Sequence, residues 1–320
     1  MLKFGIWTHQ QYLQQDPEDR PRCAARVSYA LLDVGRDPSP ELVRAFEDIS
    51  FHLRTTNGTF RTTFRNRFPD VNAATLAFMK RFWPSDAPLR VQDRASSHGL
   101  TTWEWAQPLL AAFPHAEVEA SDLLHYLVLL SLDNGVSYVV EPNGKPLQYI
   151  RPPFVVWTHH PGPRRWPFNQ WLADRARTRF HRLKLPSGWI TSSGGPGFTV
   201  KKIPIIHPEA LRFSETHPGL RFRERSVFDP TPGECDVIRT MNILNLSYFP
   251  EGQLVAGARA VYDSLRPGGL WIVGRTLEED NSNHATFFRR QPDGWEVLGR
   301  IGKGSEIEHL ALGAPLGSPA

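Results

Sequence analysis

From residue 89 onward the sequence alternates short apolar runs with segments of helical period, and this rhythm constrains the fold more than any other feature. Leu89–Asp93, Ala116–Ser121, Leu220–Val227, Cys235–Arg239 and Leu270–Val273 read as strands. Thr102–Phe113 and Gln253–Leu265 read as helices, the second stopped by Pro267-Gly268-Gly269. Strands separated by helices favour a parallel, doubly wound sheet, because a parallel neighbour is reached only through a long crossover. Near the C-terminus, Ala285–Arg289 and Trp295–Leu298 flank Pro292-Asp293-Gly294, a hairpin signal that adds antiparallel strands at the edge.

Ahead of this region lie two stretches of different texture. Residues 1–36 lack a sustained period and read as an arm packed on the body. Residues 37–84 read as a helical region: Ser39-Pro40-Glu41 starts one helix, with Leu42, Phe46, Ile49 and Leu53 at helical spacing. Asn57-Gly58 marks a turn, and Asp70 is expected to cap a second helix carrying Leu76, Met79 and Phe82. The α/β domain is expected over 85–312, and the tail 313–320 is expected to be disordered.

A block of about 131–202 interrupts the α/β rhythm. It holds a hairpin around Asn143-Gly144, Pro- and aromatic-rich residues 152–168, and a basic helix from about Phe168 to Leu183. A Ser/Gly loop follows at 192–197. Residues 151–202 carry ten basic residues and one acid, Asp174, a net of +9, whereas the rest of the chain nets −5. The helix is expected to bury Phe168, Trp171, Leu172, Ala176, Phe180 and Leu183, with Arg175, Arg179 and Arg182 facing water. Those arginines, with Trp157, Trp166 and Trp171, also fit contact with an anionic partner, or a lid over an apolar acceptor.

Several classes are disfavoured by composition. No apolar run approaches a membrane span, and MLKFGIWTHQQYL has too short an apolar stretch for a secretory signal. Cys23 and Cys235 are the only cysteines, which points to a reducing cytoplasm. His159-His160 and His181 have no Cys or carboxylate at ligand spacing, so no metal site is expected.

The segment with most chemical content is VQDRASSHGL, residues 91–100. Asp93, Ala95, Ser97 and Gly99 stand in the register of a D-x-G-x-G-x-G loop, whose small residues let the backbone approach a ligand beside a helix terminus. Alanine and serine replace glycine at least cost provided φ stays negative; negative φ at Ala95 and Ser97 around a cavity would favour an enzyme, and a filled pocket a scaffold. Asp122 ends the next strand 29 positions on, a place suited to a ribose diol or to capping a helix over Leu123–Leu130.

Three further segments complete a resemblance: Ser226-Val227-Phe228-Asp229-Pro230, then Cys235-Asp236-Val237-Ile238 through Asn242-Ile243-Leu244 to Tyr248-Phe249, then Leu265-Arg266-Pro267-Gly268-Gly269. In this order they resemble class I S-adenosylmethionine-dependent methyltransferases, nearest to the chemotaxis-receptor (CheR-type) family, with a degenerate glycine loop. The resemblance implies a seven-stranded Rossmann-like sheet and S-adenosylmethionine as cofactor, with methyl transfer to an oxygen or nitrogen of an undetermined acceptor. It implies that Asp93, Ala95, Ser96, Ser97 and Gly99 surround the methionine end. Asp122 and Leu123 would serve the ribose, Ser226 and Val227 would border adenine, and Asn242 would lie near the methyl group. Tyr248, Asn242 and Arg239 are the candidates for the reacting centre. Met241 stands where the chemotaxis family has arginine, so that family's acceptor is not implied. The alternative is a non-catalytic sensor or scaffold that contacts an anionic partner through the basic block.

Overall fold

The computed structural model describes residues 4–56, 58, 61–159 and 167–314. In chain order the elements begin with α1 (His9–Leu13), α2 (Arg20–Cys23), α3 (Pro40–Phe51), α4 (Pro69–Phe82), β1 (Arg90–Arg94), α5 (Leu100–Ala112) and β2 (Glu117–Asp122). Next come β3 (Tyr126–Leu132), β4 (Ser137–Val140), β5 (Pro146–Arg151), β6 (Phe154–Trp157), α6 (Pro167–His181), β7 (Gly194–Gly195) and β8 (Phe198–Pro204). The chain closes with α7 (Pro208–Thr216), β9 (Leu220–Glu224), β10 (Cys235–Met241), α8 (Glu251–Ser264), β11 (Leu265–Thr276), β12 (Asn283–Gln291), β13 (Gly294–Ile301) and α9 (Glu308–Gly313). These elements fall into two units, one of residues 1–62 with 124–208, the other of 63–123 with 209–320.

The second unit is built on a seven-stranded sheet in the order β13-β12-β11-β10-β1-β2-β9. The five strands from β9 to β11 are parallel, and β12 and β13 form the antiparallel edge hairpin. One face packs Val91, Val118 and Ile272 against Trp105 and Leu109 of α5 and Val71 and Met79 of α4. The other packs Ile238, Trp271 and Phe288 against Leu254 and Val261 of α8 and Ala311 of α9. This is the doubly wound α/β class expected from the sequence. Pro267-Gly268-Gly269 does not precede β11 but lies inside it, near its start. At the start of α4, Pro69 is the first helical residue and Phe68 the cap position, so Asp70 lies inside the helix. Its Oδ1 accepts the Val71 amide and the Asn283 side chain.

The first unit departs further from expectation. Its sheet has six antiparallel strands in the order β6-β5-β4-β3-β8-β7, covering residues 126–204 rather than a hairpin within 131–202. Leu123–Leu130, expected as a helix, is mostly strand β3: Leu127 faces one core while Val128 and Leu130 face the other. A short continuous apolar run is compatible with either structure, and the two-sided burial of this sheet decides for strand. Residues 4–36 are packed on the body, with Ile6, Tyr12, Val27, Tyr29 and Leu32 sharing a core with Leu127, Leu147 and Ile203. Buried Gln148 fixes this segment to the sheet, accepting the Tyr29 amide at 2.7 Å and donating to the Val27 carbonyl at 2.9 Å. The helical region 37–84 is likewise divided, with α3 in the first unit and α4 in the second.

The basic helix α6 meets its sheet along Ala173, Ala176 and Phe180, where small residues let the Tyr138 hydroxyl reach the Ala176 carbonyl at 3.3 Å. Phe168 and Trp171, expected inside, are each 52% exposed. Asn57, His160, Trp166 and residues 315–320 lie outside the described residues, and Gly313 ends α9.

Candidate functional site

The carboxyl ends of β1, β2, β9 and β10 lie side by side in the second unit, the place where open α/β sheets receive ligands. After β1 the backbone passes through Ala95 at φ +61°, Ser97 at +58° and Gly99 at +79°. The condition of negative φ is therefore not met at either substituted position. Every second residue keeps the left-handed conformation that glycine adopts freely, and an L-residue held there costs about 1–2 kcal/mol. Strain of this kind persists where the surroundings over-determine it. Here the surroundings are identifiable: the Ser96 amide donates to the Ser121 carbonyl at 2.9 Å and the Ser97 amide to Asp122 Oδ2 at 2.7 Å. Gly99 then starts α5, and a Cβ on it would sit 2.4 Å from Cε1 of Phe222.

Asp122 is thus joined directly to the loop, and its carbonyl accepts the Arg225 amide at 2.8 Å. Leu123, next in sequence, is 54% exposed beside it. Ser226 and Val227 follow β9, Ser226 Oγ accepting the Phe228 amide and Val227 lying buried. Ser96 and Ser121 are buried, and their Oγ atoms have no hydrogen-bond partner among the described residues.

Asp93 belongs elsewhere. It is buried and paired in register with Arg239, whose Nε lies 2.9 Å from Oδ1 and whose Nη2 lies 2.5 Å from Oδ2. Thr102 Oγ1 also donates to Asp93 Oδ2. Arg239 is completed by Asn72 Oδ1 at 2.6 Å and by the Trp105 ring 4.3 Å below its guanidinium. This saturated ion pair holds β1 to β10 under α5, so Asp93 does not line the cradle and Arg239 is not available to a reacting centre.

At the end of β10, Asn242 adopts φ +60° and its Oδ1 accepts the Thr276 amide at 2.7 Å. Tyr248 is 40% exposed on the following loop, its amide held by Asn245 Oδ1 at 3.1 Å. A neighbour that local pattern did not reveal is Arg67, whose Nε donates to Thr276 Oγ1 at 3.1 Å. Burial pulls its guanidinium down to about 10, against the opposing pull of Tyr248 and Glu278. Arg67 is 175 positions from Asn242, so no spacing rule connects them. Of the histidines, Nδ1 of His159 lies 2.8 Å from the Pro146 carbonyl and His181 is exposed on α6.

No protein-family model and no curated protein matches the chain. Among solved structures, it is similar to the carbon methyltransferase DszA, at 10% identity over 66% of this chain and 35% of that one, with a TM-score of 0.32. The CMeT domain of citrinin polyketide synthase is similar at 14% identity, covering 75% and 41%, with a TM-score of 0.34. PKMT2 from Rickettsia typhi, in complex with AdoHcy, is similar at 10% identity, covering 58% and 21%, with a TM-score of 0.26. The chain spans 35% and 41% of the length of the first two. Likenesses this distant assign no activity. Strand order and direction in the second unit define a mixed α/β sheet of five parallel strands with an antiparallel hairpin at one edge.

Proposed function

We propose that the carboxyl edge of the seven-stranded sheet binds S-adenosylmethionine and that the protein transfers its methyl group to an oxygen or nitrogen of an acceptor. One observation carries this reading: left-handed backbone at residues 95, 97 and 99, adopted although two of the three are not glycine. The Ser96–Ser121 and Ser97–Asp122 hydrogen bonds hold this path, which carries the backbone past the Asp122 carboxylate as a ligand-binding turn requires. The groups around it suit a nucleoside attached to an amino acid. Asp122 offers a carboxylate for ribose hydroxyls, exposed Leu123 offers an apolar face for the base, and the amides opening α5 suit a carboxylate.

The bound sulfonium supplies an already activated methyl group. The chain's own contribution is therefore alignment and exclusion of water rather than strong acid–base chemistry. Asn242 and Tyr248 remain the polar groups assigned to acceptor positioning; Arg239 is withdrawn from that role. S-adenosylhomocysteine is expected to bind in isothermal titration, and no heat at millimolar ligand overturns the reading.

A second reading is a non-catalytic sensor or scaffold. Its support is the exposed pair Phe168 and Trp171, stacked at 5.9 Å, with Arg175 5.3 Å over Trp171. Charge and aromatic surface together fit an anionic lipid surface. Flotation with anionic vesicles, lost in Phe168→Ser/Trp171→Ser, together with cofactor binding that yields no transfer to any acceptor, would favour it.

A further inference from the structure

We propose that Arg94 is a positioning residue for the base-binding side of this site, doing the work of a crossover helix that the chain lacks; the role rests on the cofactor reading above. The connection from β9 to β10 must pass β2 and β1, yet residues 225–234 contain no helix. Parallel neighbours in such sheets are ordinarily joined by a helix that covers the sheet face and fixes both loop ends. Here side chains tie the connection down, Arg94 reaching both Val227 and Thr231.

Arg94 is fully buried at the end of β1, immediately before the first left-handed residue of the loop. Its Nη1 lies 3.4 Å from the Val227 carbonyl, and Nη2 lies 3.2 Å from Thr231 Oγ1 and 2.8 Å from Ser264 Oγ of α8. Nε donates to Gln92 Oε1 at 2.9 Å. Ser264 Oγ in turn accepts the Thr231 amide at 2.8 Å, closing a ring of contacts around the connection. All four acceptors are neutral, and among the described residues no carboxylate forms an ion pair with this guanidinium. A buried charge with no carboxylate in contact is an expensive way to fill volume that leucine or methionine would fill better. Its return is geometric: a planar fork reaching three segments at once, which lysine cannot reproduce. The segment so held presents Ser226 and Val227, the proposed wall of the base, beside Asp122. Arg94 thereby ties that wall to the same strand end that launches the methionine loop.

The test uses the full chain with Arg94→Lys, Arg94→Met and Ser264→Ala. Two quantities are read: hydrogen exchange of amides 226–235 under native conditions, and affinity for S-adenosylhomocysteine relative to its inosine counterpart, which differs only in the base. In Arg94→Lys, exchange over 226–231 is expected to rise about tenfold while β1, β2 and β10 are unchanged, as loss of about one buried hydrogen bond implies. The preference for adenine over hypoxanthine is expected to collapse toward unity, with Ser264→Ala intermediate. A purely structural arginine would leave that preference intact in any variant that folds. If Arg94→Met does not fold, Ser264→Ala removes the hydroxyl that Arg94 and the Thr231 amide share without touching the charge, and decides alone. Unchanged exchange, or an unchanged base preference, in folded variants overturns the proposal while leaving the cofactor reading standing. A wild-type protein that binds neither ligand overturns both.

Discussion

Replacing Ala95 and Ser97 by glycine is expected to stabilise the protein, against the usual direction of such substitutions. The two residues sit at φ +61° and +58°. Relief of the left-handed conformation is worth about 1–2 kcal/mol per residue. Against this stands the larger entropy that glycine loses on folding, about 0.5–1 kcal/mol each. Both side chains are only partly buried, so little packing is lost with a methyl or hydroxymethyl group. The balance is a gain of about 0.5–1 kcal/mol per site and about 1–2 kcal/mol for the pair, or about 2–8 °C in Tm for a domain of this size. Urea unfolding followed by tryptophan fluorescence, with thermal melts in parallel, gives both figures. S-adenosylhomocysteine should bind Ala95→Gly/Ser97→Gly at least as well as the wild type, because the backbone path is unchanged. Destabilisation of about 0.5–1 kcal/mol per site would show that the loop relaxes to negative φ in solution, and the argument from strain would fail.

Gly99→Ala should destabilise by about 2–4 kcal/mol, since φ is +79° and the new Cβ meets Phe222, and chemical denaturation would read the loss. Asp93→Ala, which leaves Arg239 buried without its carboxylate, should cost about 3–5 kcal/mol, and Asp93→Ala/Arg239→Met should recover most of it in the same assay. Asp122→Ala removes the acceptor of the Ser97 amide and the proposed ribose contact, so calorimetric affinity should fall about tenfold or more while the fold persists. The Arg300 guanidinium, with burial opposing and Thr286 assisting, holds the Glu308 carboxyl below its ordinary 4.5. Because the folded value is depressed, this pair stabilises above pH 4.5 and the contribution is lost as pH falls; Arg300→Ala should flatten that part of a stability–pH profile.

The α/β half of the fold was legible because each of its elements buries a face with a period of its own. Cys235–Met241 is buried at every position, as a central parallel strand must be, and the turn at Pro292–Gly294 announced its hairpin. The first unit was not legible for a physical reason. Its core joins Tyr29 and Phe46 to Leu127 and Ile203 across 81 to 174 positions, and nothing local encodes that pairing. Leu127–Leu130 shows the limit at close range, since an unbroken apolar run hides which side chains alternate. At the site, the loop register marked the turn of residues 95–99 between β1 and α5. It could not foresee that Asp93 would be taken by Arg239, because their pairing is a matter of strand register, or that Arg67 and Arg94 would be drawn in from other elements.

The most direct test is a crystal structure of the wild type grown with S-adenosylhomocysteine. The account predicts the ribose hydroxyls within hydrogen-bond distance of Asp122 and the methionine end against residues 95–99. Ala95 and Ser97 should still have positive φ. A ligand bound elsewhere, a loop that refolds to negative φ, or an empty cradle at saturating ligand would contradict it.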